Sequence, residues 1–191
     1  MENWFDSVKI IDDFVVEIGF SLNHSDAVYL PSAEKGFITS SEAEKNIDGL
    51  ISYYKDVLLF CENNELDFKQ SRQYYNLSLV IFNNDHSLYI IIPWANSLIE
   101  IERILHSIAN PSPDRQIYWD KTYGSLFEMH IHQGLLCIRD KDPDGEEIFA
   151  MAKFPLLNVW SSFEIALKRI KNIIVTVSSV LHDNPWKDER I

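Results

Sequence analysis

A chain of 191 residues, 46% hydrophobic and 13% aromatic, is long enough to bury one core and too apolar to remain disordered. Its formal net charge of -12 would repel phosphate backbones, so direct nucleic-acid binding is not expected, whereas encounter with a basic protein is favoured. Two cysteines, Cys61 and Cys137, are too few for a disulfide scaffold and read as free thiols of a reducing, cytoplasmic compartment.

The opening MENWFDS has no positive segment ahead of an apolar one, so no signal peptide is expected. Residues 4–22 fit two patterns. Trp4, Val8, Ile11, Val15 and Ile18 make a helical stripe, while Phe14, Val16, Ile18, Phe20 and Leu22 alternate as a strand would. Gly19 and the β-branched residues favour a short helix or turn followed by a strand. The stretch NHSDAVYLPSAEKG reads as loop around a short strand.

A helix is predicted over 41–62. Ser41 and Glu44 stand at capping-box spacing, and Ala43, Ile47, Leu50, Tyr54, Leu58 and Cys61 share one face. LSLVIFNNDHSLYIII predicts a hairpin over 77–92, and its apolar run is too short, and too near Pro93, to span a bilayer. A second helix is predicted over 94–109, with Trp94, Leu98, Ile101, Leu105 and Ile108 as its seam, ended by the prolines of NPSPDR. Residues 115–154 read as a strand meander. A last helix is predicted over 158–182, with a seam of Trp160, Phe163, Leu167, Ile170, Ile174, Val177 and Leu181. Ile173, Val175 and Val180 add apolar surface, so that end is expected to be buried on more than one side, within the domain or in a homodimer.

The expected fold is therefore α+β: an antiparallel sheet of about five to seven strands on two to three helices, in one domain over 1–183 with a polar tail over 184–191.

The turns fix the expected registers. Around Gln133-Gly134, Ile131 meets Leu136, Met129 meets Ile138, Glu128 meets Arg139 and His130 meets Cys137. Around Asp-Pro-Asp-Gly, Lys141 is expected opposite Glu147, Arg139 opposite Phe149, Ile138 opposite Ala150 and Cys137 opposite Met151, with Gly145 left-handed. Asp140, Asp142, Asp144 and Gly145 match half of a calcium loop, but the bidentate Glu it requires is replaced by Met151, so no calcium is expected there.

Chemistry can converge in one place. Glu128, His130 and His132 alternate on one strand face, roughly 7 Å apart, and Cys137 lies cross-strand from His130. His130, His132, Cys137 and Glu128 could together hold zinc, or His130 could activate the Cys137 thiol. Phosphate-cradling loops, the nucleophile-elbow motif and zinc-protease motifs are absent from the sequence, so no cofactor is expected.

By elimination, the expected function is non-enzymatic binding of a basic protein. Its most concrete form is an immunity or inhibitor protein capping a basic toxin, for instance a nuclease. The candidate contact residues are Asp140, Asp142, Asp144, Glu146 and Glu147, with Tyr118, Trp119 and Tyr123 as aromatic anchors. The competing class is a small metal- or thiol-dependent enzyme using the Glu128, His130, His132, Cys137 face.

Overall fold

The computed structural model describes residues 4–24, 36–83, 87–93, 95–110, 115–122 and 124–187. The α+β class holds, but the strands divide into two four-stranded antiparallel sheets, eight strands among the described residues. The first sheet is ordered β2-β1-β3-β4: β1 is Val15–Ser21, β2 Phe37–Thr39, β3 Leu77–Phe82 and β4 Tyr89–Ile92. The second is the predicted meander in chain order: β5 is Arg115–Thr122, β6 Ser125–His132, β7 Leu135–Lys141 and β8 Ile148–Pro155. The predicted short strand within residues 23–36 and the predicted Asn-Asn-Asp turn at 83–85 fall largely on residues outside those described.

Among the described residues, five α-helices join these strands rather than two or three. The predicted 41–62 helix is two, α1 (Ser40–Lys45) and α2 (Ile47–Asn63), because Asn46 leaves the helical region at φ -131°, ψ 47°. The capping box lies two residues earlier than expected. β2 runs to Thr39, whose hydroxyl accepts from the Glu42 amide at 3.2 Å, while the Glu42 carboxylate accepts from the Thr39 amide at 3.0 Å. Glu44 is thereby free to reach Arg169, 3.6 Å away. A one-turn α3 (Phe68–Ser71) leads through a 3-10 turn into β3.

Helix α4 is Leu98–Ala109, four residues later than predicted, because Ser97 caps it through the Glu100 amide. Its inner stripe is Ile101, Ile104 and Ile108, and Trp94 lies outside the described residues. Helix α5, Leu156–Leu181, follows β8 without a loop and begins two residues before the prediction. Phe163, Leu167, Ile170, Ile174 and Val177 of the seam are buried, as is Ile173. Val175, however, is 68% exposed and Val180 also reaches solvent, so the end of α5 is not buried all round within the chain. Helix α5 packs on β1, β7 and β8 and on α1, α2 and α4, which makes it the element common to both sheets. Beyond its left-handed cap at His182, Trp186 packs edge-on against Phe20, Tyr54 and Tyr75.

The β6–β7 register is as read from the sequence: Ile131 faces Leu136, Met129 Ile138, His130 Cys137 and Glu128 Arg139. Gln133 and Gly134 take φ 50° and 76°, the doubly left-handed turn that matches strand twist. The β7–β8 register differs from expectation by two residues. Arg139 faces Met151 rather than Phe149, Ile138 faces Ala152, Cys137 faces Lys153, and Lys141 faces Ile148 across a bulge that leaves Phe149 unpaired.

The reason is the Asp142 side chain, which accepts the Asp144 amide at 2.9 Å and closes a local turn inside the loop. The strands then close at Asp142, whose amide donates to the Glu147 carbonyl. Gly145 is not left-handed. A Cβ there would instead meet the far end of the Asp142 side chain, 2.3 Å away, which would have to shift. A shift of two residues preserves which face each side chain occupies.

Candidate functional site

The meander carries both predicted sites on its ends and faces. Phe127, Met129, Ile131, Leu136 and Ile138 turn inward and are buried. Glu128, His130, His132, Cys137 and Arg139 share the opposite face, which is covered rather than open. The 3-10 turn Trp4–Ser7 lies across it. Phe5 packs against His132 at 4.6 Å between ring centroids, Trp4 packs edge-on against His130 at 5.9 Å, and the Arg139 guanidinium stacks over Trp4 at 4.6 Å. Farther on, Ile11 donates its amide to the Lys153 carbonyl, so the N-terminal segment also runs beside β8.

Under this cover the chemistry is muted. Glu128 takes two hydrogen bonds from Arg139, one from Nε at 2.9 Å and a second from Nη2. His130 Nε2 is 3.9 Å from Glu128, and burial moves its pKa below the ordinary imidazole value despite that carboxylate. Burial also pushes the Cys137 thiol up to about 11, which suppresses the thiolate that a nucleophile needs. The lowering of the Cys137 pKa that the sequence suggested is therefore not what the fold produces. Among the described residues, no three His, Cys, Asp or Glu side chains converge as a metal-binding set.

The acidic residues separate by role. Asp140 sits on β7, where its carboxylate takes a hydrogen bond from the Ser125 hydroxyl. Asp142 holds the loop together. Asp144, Glu146 and Glu147 are exposed at the tip. Lys121 Nζ lies 3.4 Å from Asp144 and ties the loop to β5. On that same face of β5, two residues before Lys121, Trp119 is 57% exposed. Tyr118 points the other way. It packs edge-on against Phe127 and donates its hydroxyl to the Pro93 carbonyl at 2.5 Å, so it does not join Trp119 in one surface. Tyr123 lies outside the described residues.

A second concavity was not read from the sequence. The outer face of the first sheet holds a half-open groove of about 780 Å³. Phe37, Val80, Phe82, Tyr89 and Ile91 form its apolar walls, and Ser21, Thr39, Ser78 and Glu42 stand along it. Gly19 makes it possible: a Cβ there would meet the Phe37 ring at 2.5 Å and the Ile38 carbonyl at 2.2 Å. The available signal was the outward set of two strands, Ser78-Val80-Phe82 and Tyr89-Ile91, which is too apolar for a solvated face. Their mostly apolar runs read as buried strands instead.

Comparison with protein-family models, with curated proteins and with solved structures finds no match for this chain. Among the described residues, no helix is long and apolar enough to cross a membrane.

Proposed function

We propose that this chain is a non-enzymatic binding protein that docks on a basic protein through Trp119 and the 142–147 loop. The observation that carries this reading is the exposure of Trp119 on the face of β5 that Lys121 ties to the Asp144 carboxylate. A large rigid aromatic beside an acidic rim supplies contact area at the centre and complementary charge at the edge. The net charge of -12 would steer a cationic partner toward it. In its most concrete form the protein is an inhibitor of the immunity type that neutralises a basic toxin, such as a nuclease, in the cytoplasm. Cys61 and Cys137, both free thiols, fit a reducing compartment.

The test is affinity capture from source lysate with three baits: wild type, Trp119→Ala, and a triple variant Asp144→Asn, Glu146→Gln, Glu147→Gln. Asp142 is left in place because it closes the loop. A basic protein retained by wild type should dissociate faster from Trp119→Ala, by the roughly 2 kcal/mol or more typical of a central aromatic anchor. The triple variant should associate more slowly, with the difference shrinking as salt screens exposed charge. A captured partner that is not basic, or one whose kinetics neither variant alters, would overturn the reading.

A further inference from the structure

We infer that the groove on the outer face of the first sheet binds a small organic cation with an apolar body. The volume, about 780 Å³, lies in the range of ligand-sized clefts. The groove is open to a ligand: Tyr89 and Ile91 on its β4 side are 47% and 53% exposed. Exposed apolar side chains lining one concave surface in this way commonly mark a binding site.

Charge selects among apolar ligands. Glu42 is the only charged residue among the described lining residues, and none of them is Lys or Arg. An anionic amphiphile would therefore bring its charge to a carboxylate with no cation among those described lining residues to neutralise it. A cation finds the Glu42 carboxylate near the Tyr89 ring. The Glu42 charge adds to the burial that raises the Tyr89 pKa, so the two groups feel one another. The Tyr89 ring lies roughly parallel to Phe82. An ammonium over such rings gains from their negative faces, and the hydrocarbon body covers Phe37 and Ile91. The Glu42 carboxylate is also held in place, because its Oε2 accepts from the Thr39 amide and hydroxyl at 3.0 and 2.8 Å. Those donors are neutral and bring no opposing charge to it.

The experiment titrates the full chain with benzyltrimethylammonium, benzyl alcohol and phenylacetate, following backbone amide shifts by NMR. The cation should produce saturable shifts at Ser78, Tyr89 and Ile91, with the alcohol weaker and the anion weakest. Glu42→Gln keeps a capping-box residue at that position while removing the charge. It should weaken the cation roughly fivefold, the upper range for an exposed ion pair, and leave the alcohol unchanged. Tyr89→Leu, at an exposed position, should weaken the cation by roughly two- to fivefold. Equal binding of phenylacetate or benzyl alcohol would overturn the assignment, as would an absence of shifts in the groove or indifference to Glu42→Gln. Shifts confined to the 142–147 loop would show general attraction to the net charge and would overturn it equally.

Discussion

Arg169 and Glu17 are 152 residues apart in the chain, yet Arg169 Nη1 lies 2.9 Å from Glu17 Oε1. Glu17 is almost fully buried, and its other oxygen accepts the Ser40 hydroxyl at 2.6 Å. One carboxylate thus joins β1, the start of α1 and the middle of α5. Removing one partner of a buried pair leaves the other charge uncompensated, so Arg169→Met should destabilise the fold by roughly 3 kcal/mol. The double variant Glu17→Gln, Arg169→Met should recover part of that loss. Urea denaturation of the three variants measures both quantities. A loss under about 0.5 kcal/mol, the usual surface range, would mean that water reaches Glu17.

Cys137 gives the pH dependence. Its thiol is raised from the ordinary 9.0 to about 11 in the fold. A group raised on folding stabilises fully below its unfolded pKa, and that stability is lost as pH rises through the folded value. Stability should therefore fall between about pH 9 and 11, and Tyr118, pushed up to about 12, extends the decline upward. At pH 8 an alkylating reagent should label Cys137 only slowly. Trp4→Ala with Phe5→Ala, which strips the cover from that face, should speed labelling while the protein stays folded. Fast labelling of the wild type would show that the N-terminal turn does not protect the thiol.

Helix α5 offers a paired comparison. Ile170 is wholly buried, and Ile170→Ala should cost roughly 2–5 kcal/mol, as core truncations do. Val175→Ala, one and a half turns on and 68% exposed, should change stability by less than about 0.5 kcal/mol. Comparable losses at both positions in dilute monomer would place Val175 in a contact of its own.

The two hairpin glycines should also behave differently. Gly134 is left-handed at φ 76°, so Gly134→Ala should cost about 1–2 kcal/mol of backbone strain. Gly145 lacks that conformation, and its crowding comes from the far end of the Asp142 side chain rather than from backbone. Gly145→Ala should then cost less than about 1 kcal/mol, chiefly as the weakened Asp142–Asp144 hydrogen bond. Thermal or urea denaturation of both variants ranks them, and a reversed order would contradict the turn geometry.

Local patterning was enough for the α+β class, the meander, the α5 seam and the β6–β7 register. These follow from alternation, from the 3.6-residue period and from Gln133-Gly134, all of which act within a few residues. The exposed acids Asp144, Glu146 and Glu147 were legible for the same reason, whereas the sequence reading did not separate the outward Trp119 from the inward Tyr118. The starts of α1 and α4 were settled by caps: Ser41 and Glu44 offer the same spacing as Thr39 and Glu42, and β2 running to Thr39 decided between them, while Ser97 rather than Pro93 begins α4. The two-residue shift of β8 came from a side chain closing its own loop.

The site depended most on tertiary structure. Sequence places Glu128, His130, His132 and Cys137 on one face, but the four-residue turn that covers them has no period to read and lies more than 120 positions away. Burial of that face, to which segments far along the chain contribute, is what raises the Cys137 thiol. The groove likewise needs Phe37 laid over Gly19 across a strand pair, with β3 and β4 beside them. The sequence alone determined which side chains share a face, because pleat and helix period are local. Only the tertiary structure decided which faces are covered, because cover comes from segments distant in the chain.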